Sequence, residues 1–368
     1  MSPPQGSPQL AALPNYRPRF PADRKALGIA ILGFGDVAKK WHVTAYRKYG
    51  LRLTGAYDSS SEVVAEARKS HPELRLYASL EELLNDPDVA IVDIATRPSH
   101  RLDLISRVLA AGKHVLAQKP LTPGLAGLSE TIALARSQNL KVAVNQNGRW
   151  APPWRLATLL IEAGAIGDVI AVTHMLDTRL RWILDPARHG STHFLLFDYA
   201  CHWIDITRCW LAAKELSSVQ ARDPKAPIVD GEMISQGTWI AMNYSDGSTA
   251  VIRGVACGAD HRGHPFWIHG TEGTLRGDVD SRAGDYLEME RRRVRNRFEL
   301  EGEWFPDGFA GTMGELMCAI DEDREPFHSL AHNELTVRAS LAACYSAEHR
   351  AIAIEPRSLE TQQEGLGS

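Results

Sequence analysis

At 368 residues the chain exceeds what one small core needs and suits about two domains. Its 44% hydrophobic and 23% charged residues are a globular mix, and a net charge of −4 with no basic stretch interleaved with aromatics argues against nucleic acid as a partner. No apolar run nears the ~20 residues of a membrane span, and five cysteines without CxxC or zinc-like spacing read as reduced thiols of a cytoplasmic protein.

Residues 1–25 are Pro-rich and lack the apolar segment of a signal peptide. They are expected to form a disordered leader, or else an ordered arm against another subunit. Order is predicted from Ala26, where Ala26–Leu32 is a nearly continuous apolar run suited to a parallel strand buried on both faces. A glycine turn follows, then a helix to about Arg47. Leu51–Tyr57 reads as a strand ending in Asp58, and Ser61–Ser70 as a helix. A short helix capped by Ser79 precedes the buried strand Val89–Ala95. His100–Ala111 is a helix stopped by Gly112, followed by strand His114–Ala117, helix Leu125–Gln138 and strand Lys141–Val144. This alternation predicts a doubly wound parallel sheet over 26–146.

The pattern changes after Asn145. A helix at Trp154–Ala163, an alternating strand at Val169–Leu176 and a long apolar helix at Thr192–Ala212 are followed by strands at Gly237–Tyr244, Thr249–Ala256, Pro265–His269, Thr274–Gly277 and Tyr286–Arg291. A final helix spans Glu334–Arg350. Residues 147–355 thus read as an α+β domain with an open, largely antiparallel sheet, and 356–368 as a flexible tail. The basic run Arg291–Arg295 lies beside Glu288 and Glu290 and reads as a charge-compensated strand or loop.

Gly33-Phe34-Gly35-Asp36-Val37-Ala38 is a dinucleotide fingerprint between a buried strand and a helix. The first Gly makes the tight turn, the second admits the pyrophosphate, and the small third residue lets helix and strand pack. Asp58, with Ser59 beside it, ends the second strand, where a carboxylate accepts from the ribose hydroxyls and repels a 2′-phosphate; NAD is favoured over NADP. Thr96-Arg97-Pro98-Ser99-His100 and Gln118-Lys119-Pro120 follow two further strands at the same edge, where ligands of such sheets bind. Ser99 there could equally cap the next helix. A Lys119 beside a cationic ring would be partly desolvated, with a lowered pKa. Asp198 and His202, four apart, share a helix face, and Asp205 continues it; taken alone, the pair fits a structural contact as well as an acid–base one. The spacing of His193, Asp198 and His202 matches no metal motif, so no metal is expected.

In order and spacing, the fingerprint, Thr96-x-Pro98-x-His100, Gly112-Lys113-His114-Val115, Lys119-Pro120, Asn147-x-Arg149-Trp150, Gly164-x-Ile166-Gly167, Asp198-x-x-x-His202-x-x-Asp205 and Gly270-x-x-Gly273 resemble the glucose–fructose oxidoreductase, inositol dehydrogenase and rhizopine-catabolism (Gfo/Idh/MocA) family from about Leu27 to Ala351. The resemblance implies a Rossmann domain, an α/β domain whose open sheet mediates a homo-oligomer (dimer or tetramer), and oxidation or reduction of a secondary hydroxyl of a sugar, sugar acid or cyclitol. It implies catalytic roles for Lys119, Asp198 and His202, with His202 as base and Asp198 orienting it or holding a neighbouring hydroxyl. It makes Gln118 and Asn147 cofactor neighbours, and Arg149, Trp150, Arg179, Trp182 and His193 substrate neighbours. The family usually carries Glu where this chain has Gln118, which leaves Lys119 less stabilised as a cation. An NAD-dependent glycoside hydrolase, working by transient oxidation, elimination, hydration and re-reduction, would use the same residues; a non-catalytic regulator that binds the dinucleotide would be expected to have lost some of them.

Overall fold

The computed structural model describes residues 13–178, 193–227, 233–256 and 262–359. Five short strands, β1 (Ile29–Leu32), β2 (Leu53–Tyr57), β3 (Ile91–Ile94), β4 (His114–Ala117) and β5 (Val142–Val144), pair in the order β2-β1-β3-β4-β5, all parallel. Every residue of β1 and β3 is buried, as their unbroken apolar runs require of strands covered on both faces. The connecting helices are α1 (Val43–Lys48), α2 (Ser61–Ser70), α3 (Leu80–Asn85), α4 (Arg101–Ala110) and α5 (Leu128–Ser137).

After α6 (Pro152–Glu162) come β6 (Val169–Asp177), α7 (Cys201–Trp210), β7 (Leu216–Arg222), β8 (Lys225–Pro227), β9 (Met233–Ser235), β10 (Gly237–Tyr244), β11 (Thr249–Val255), β12 (Phe266–Gly270), β13 (Thr274–Asp278), β14 (Tyr286–Arg291) and β15 (Val294–Phe298). Eight of these strands form one sheet, ordered β15-β14-β13-β12-β6-β11-β10-β7, with only the β6–β11 pair parallel. In β6, Val172, His174 and Leu176 are buried while Thr173 and Met175 between them are partly exposed. That alternation marks a sheet with one packed and one open face. The basic run forms the β14–β15 hairpin. Arg292 and Arg293 take positive φ (52° and 67°) at its tip, as a two-residue loop matching the strand twist demands. Arg295 pairs with Glu290 and Arg297 with Glu288 across the strands.

Besides strands β7, β8 and β9, which the sequence reading did not include, two further features depart from it. Residues 13–25 lie against their own chain: Tyr16 is 7% exposed, its hydroxyl accepts from the Glu301 N–H, and Phe20 stacks near Tyr49. A helix absent from that reading, α8 (Trp304–Asp321), leaves the second domain and covers one face of the parallel sheet. Its glycines at 308, 311 and 314 and its Pro306 are poor helix formers, which hides it from propensity. They serve contact instead: a side chain at Gly311 would run into Trp150, and one at Gly314 into Arg19 and Phe20. Phe309, Met313, Leu316 and Met317 of α8 are buried with Ile29, Ile31 and Ile91, a contact of roughly 6–12 kcal/mol at full burial of four large side chains. The last helix, α9 (Leu330–Glu348), starts at the Ser329 cap, whose side chain accepts from the His332 N–H.

Candidate active site

A cavity of about 980 Å³ lies between the two domains, at the carboxyl edge of the parallel sheet. One wall is the glycine turn. Gly33 has φ +90°, and a Cβ there would come within 3.0 Å of the Ala95–Thr96 backbone. A Cβ at Gly35 would meet nothing within 4 Å, which leaves backbone open to a ligand's close approach. Asp58 reaches the turn from the end of β2: its Oδ2 accepts from the Phe34 N–H at 2.7 Å and its Oδ1 from the Ser60 N–H at 2.8 Å. Each oxygen keeps lone-pair capacity for a ribose hydroxyl. Ala38 is buried, so the helix lies close on the sheet. Phe34 is buried edge-on to His71, Ser59 is exposed, and Asp36 and Val37 line the cavity. The open space at Gly35, the small residue at 38 and the carboxylate at 58 fit a dinucleotide with an unphosphorylated ribose.

Thr96 lies against Gly33, while Arg97 and His100 are exposed around a short 3₁₀ turn at Pro98–His100. Ser99 caps nothing; α4 begins without a side-chain cap. The residue that organises this edge is Arg101, which motif reading passed over. It is 1% exposed, and its guanidinium donates to the carbonyls of Gln118 (2.6 Å), Leu121 (3.2 Å), Pro120 and Thr96. One buried cation thereby ties the loop after β3 to the loop after β4. Burial pulls its pKa down to about 9.

Gln118 is buried. Its amide nitrogen lies 3.3 Å from His42 Nε2, its Oε1 accepts from the Lys119 N–H, and His42 Nδ1 lies 2.5 Å from Asp93. Lys119 projects across the cavity, donating to the Asp198 carbonyl at 2.9 Å, with the Asp198 carboxylate at 3.5 Å. Burial alone would depress the Lys119 pKa; the Asp198 carboxylate more than offsets it, and the pKa rises. The lowered value expected from position alone is therefore reversed, because the nearest charge is an anion. Asp198 sits in a π-helical turn, Leu195–Tyr199, just before α7. Its carbonyl also takes the Cys201 thiol, itself pushed up to about 12 by burial.

His202, in the first turn of α7, faces the same cavity, edge-on to Trp304. Its Nδ1 is buried without a hydrogen-bond partner. Burial, then the Lys119 charge, hold its pKa well below 6.5, so the ring is neutral at pH 7. Asp198 turns to Lys119 and not to His202, so the expected orienting contact is replaced by one to the ammonium. Asn147 holds the Trp304 indole N–H at 2.8 Å. Trp304, Phe305 and Phe309 from α8, Arg262 from the segment before β12, and Asp280 and Asp285 from the β13–β14 connection line the cavity. Burial lifts the Asp285 carboxyl to about 6. None of these last six was singled out from sequence, since residues from three distant segments meet only in the fold.

Three substrate candidates lie elsewhere. Arg149 is 7% exposed and forms a two-pronged ion pair with Asp205 (2.6 and 2.7 Å) while donating to the Phe327 carbonyl. Trp150 is buried against His328 and Gly311. His193 is held between Asp223 (2.8 Å) and Glu348 (3.0 Å). Each is fixed by structural partners, which a spacing pattern does not reveal. Arg179 and Trp182 lie outside the described residues. No helix among the described residues is long and apolar enough to cross a membrane.

Residues 27–146 match the family model described as an oxidoreductase family with an NAD-binding Rossmann fold, and 154–276 match its GFO/IDH/MocA C-terminal domain. An uncharacterized oxidoreductase, C115.03, from Schizosaccharomyces pombe is 28% identical over 229 residues, 57% of this chain and 59% of that protein. The chain spans 44% and 31% of the lengths of two other curated relatives it matches. The 1,5-anhydro-D-fructose reductase of Ensifer adhaerens is 27% identical over 258 residues, 67% of this chain and 74% of that protein. In fold, an oxidoreductase from Agrobacterium radiobacter solved with NAD+, L-tartaric acid and magnesium superimposes with a TM-score of 0.80, at 18% identity, over 91% of this chain and 99% of that one. With both domain models matched over more than half its length, this chain belongs to the GFO/IDH/MocA family of NAD-binding oxidoreductases.

Proposed function

We propose that the chain is an NAD-dependent dehydrogenase acting on a secondary hydroxyl of a sugar, sugar acid or cyclitol. The observation that carries this reading is the convergence on one cavity of a cationic Lys119 and a neutral His202 with an unpartnered buried nitrogen. Bound NAD supplies the hydride acceptor. The Lys119 ammonium donates a hydrogen bond to the substrate oxygen and offsets the negative charge that develops there. A ring nitrogen of His202 takes the hydroxyl proton, for which a neutral imidazole is the required form. Asp198 holds Lys119 in place through its carbonyl and carboxylate. Trp304 and Phe305 present flat apolar faces, and Asp280 and Asp285 present acceptors, a combination suited to a polyhydroxylated ring. The sugar-related relative from Ensifer adhaerens favours the same substrate class.

The test is NAD reduction across a panel of inositols, aldoses, aldonic acids and anhydro-sugars. Turnover with one polyol class, abolished in Lys119→Met, is expected. Silence with every polyol would sink the reading. Cleavage of aryl glycosides that requires NAD without net NADH would replace it with the hydrolase reading.

A further inference from the structure

A second cavity, of about 230 Å³, opens at the far end of α7, where α7 meets β7, β10 and α9. Its wall includes Arg208, Lys214, Tyr244, His332 and Arg357, with Glu215 as the one carboxylate. Lys214 is already matched by Asp246 at 2.6 Å, and Arg357 by Glu215 at 3.4 Å. Arg208 is different. It is 9% exposed, its Nη1 donates to Thr336 Oγ1, and Asp205 stands 4.0 Å away. Both Asp205 oxygens are taken by Arg149. Two buried guanidiniums thus share one carboxylate, which leaves an excess positive charge beside an open cavity.

An independent feature points the same way. The Tyr244 hydroxyl, on a residue only 4% exposed, has no hydrogen-bond partner. His332 contributes a further donor. Burial holds its ring neutral, with a pKa down to about 4, and its Nδ1 lies 3.1 Å from the Arg149 donor. That contact assigns the ring proton to Nε2. The groups left uncommitted in this wall are donors, under net positive charge.

We propose that this cavity binds a small oxyanion, a phosphate or carboxylate group, through Arg208 and the Tyr244 hydroxyl. The site is separate from the NAD cavity and stands whether or not the substrate assignment above holds. The test is thermal unfolding of the full chain with NAD saturating, so that the dinucleotide's own phosphate site is filled. Sodium phosphate and sodium malonate are titrated in turn against sodium chloride of equal ionic strength. A saturable rise in Tm with phosphate, malonate or both is expected, and which probe acts identifies the anion class. Tyr244→Phe, which removes only the orphan oxygen, should fold as the parent does and weaken the midpoint about 10-fold, the equivalent of one hydrogen bond of about 1.4 kcal/mol. Arg208→Met should abolish the rise. The proposal is overturned if the parent shows no saturable rise beyond chloride, or if the rise is undiminished in Tyr244→Phe.

Discussion

Replacing Arg101 by methionine removes a buried charge while nearly keeping its volume. Four carbonyls, of Thr96, Gln118, Pro120 and Leu121, lose their guanidinium donor. An unsatisfied buried acceptor costs about 1–3 kcal/mol, so the loss is about 4–12 kcal/mol. Deleting the charge returns its desolvation cost. A pKa pulled down to about 9 puts that cost on the order of 5 kcal/mol, at about 1.36 kcal/mol per unit. The difference centres near 3 kcal/mol of lost stability, a fall in Tm of ~4 °C for a chain of 368 residues. Because this side chain's fork ties the loop after β3 to the loop after β4, the KM for NAD should rise as well. Arg101→Lys, with one ammonium in place of a fork, should recover less than half of the stability. Thermal and urea unfolding, with NAD titrations, measure both effects. A methionine variant with unchanged Tm and unchanged NAD affinity would refute the reasoning.

Asp58→Ala removes the acceptor of the Phe34 N–H and any ribose contact; at about 1.5–3 kcal/mol per charged hydrogen bond, the KM for NAD should rise ~10–100-fold in steady-state kinetics, with discrimination against NADP reduced. The pH profile of kcat/KM should be level between His202 and Lys119. The neutral ring is lost only below pH 6.5 because its pKa is depressed, and the ammonium only above 10.5 because its pKa is raised; an acid limb centred above pH 7 would contradict the burial of His202. Asp205 is lowered from 3.8 to about 2: burial alone would raise it, and the Arg149 charge and hydrogen bonds outweigh that. Its contribution is full above pH 3.8 and lost as pH falls toward 2. The stability gap between the parent and Asp205→Asn in urea unfolding should therefore shrink from pH 5 toward pH 2.

The nucleotide-binding half was legible because its signals are local. Buried strands read as apolar runs, the turn as Gly33 and Gly35, and the cofactor preference as the acid at 58. The site was legible only as far as residue identity goes. Lys119, Asp198 and His202 do line one cavity, but the partner of Asp198 is Lys119, and the sign of the Lys119 shift follows from that three-dimensional choice. Arg149 shows the converse: an arginine beside a tryptophan looks like ligand chemistry until Asp205, one helical turn beyond His202, claims it. Helix α8 was hidden because its glycines were selected for what approaches them and not for helix propensity.

Helix α8 also bears on how the molecule can move. Its start forms the cavity wall through Trp304 and Phe305, and its middle fills a face of the parallel sheet. A clam-shell rotation of one domain away from the other would have to peel this helix off that face or tear its first turn from Asn147. The two domains are thus buttoned together by a strap that crosses from one to the other. Access to the cavity then falls to the side carrying Arg262, Asp280 and Asp285. Any recombination of this nucleotide-binding module onto another partner would have to carry residues 304–321 with it, although they lie 160 positions beyond the sheet they complete.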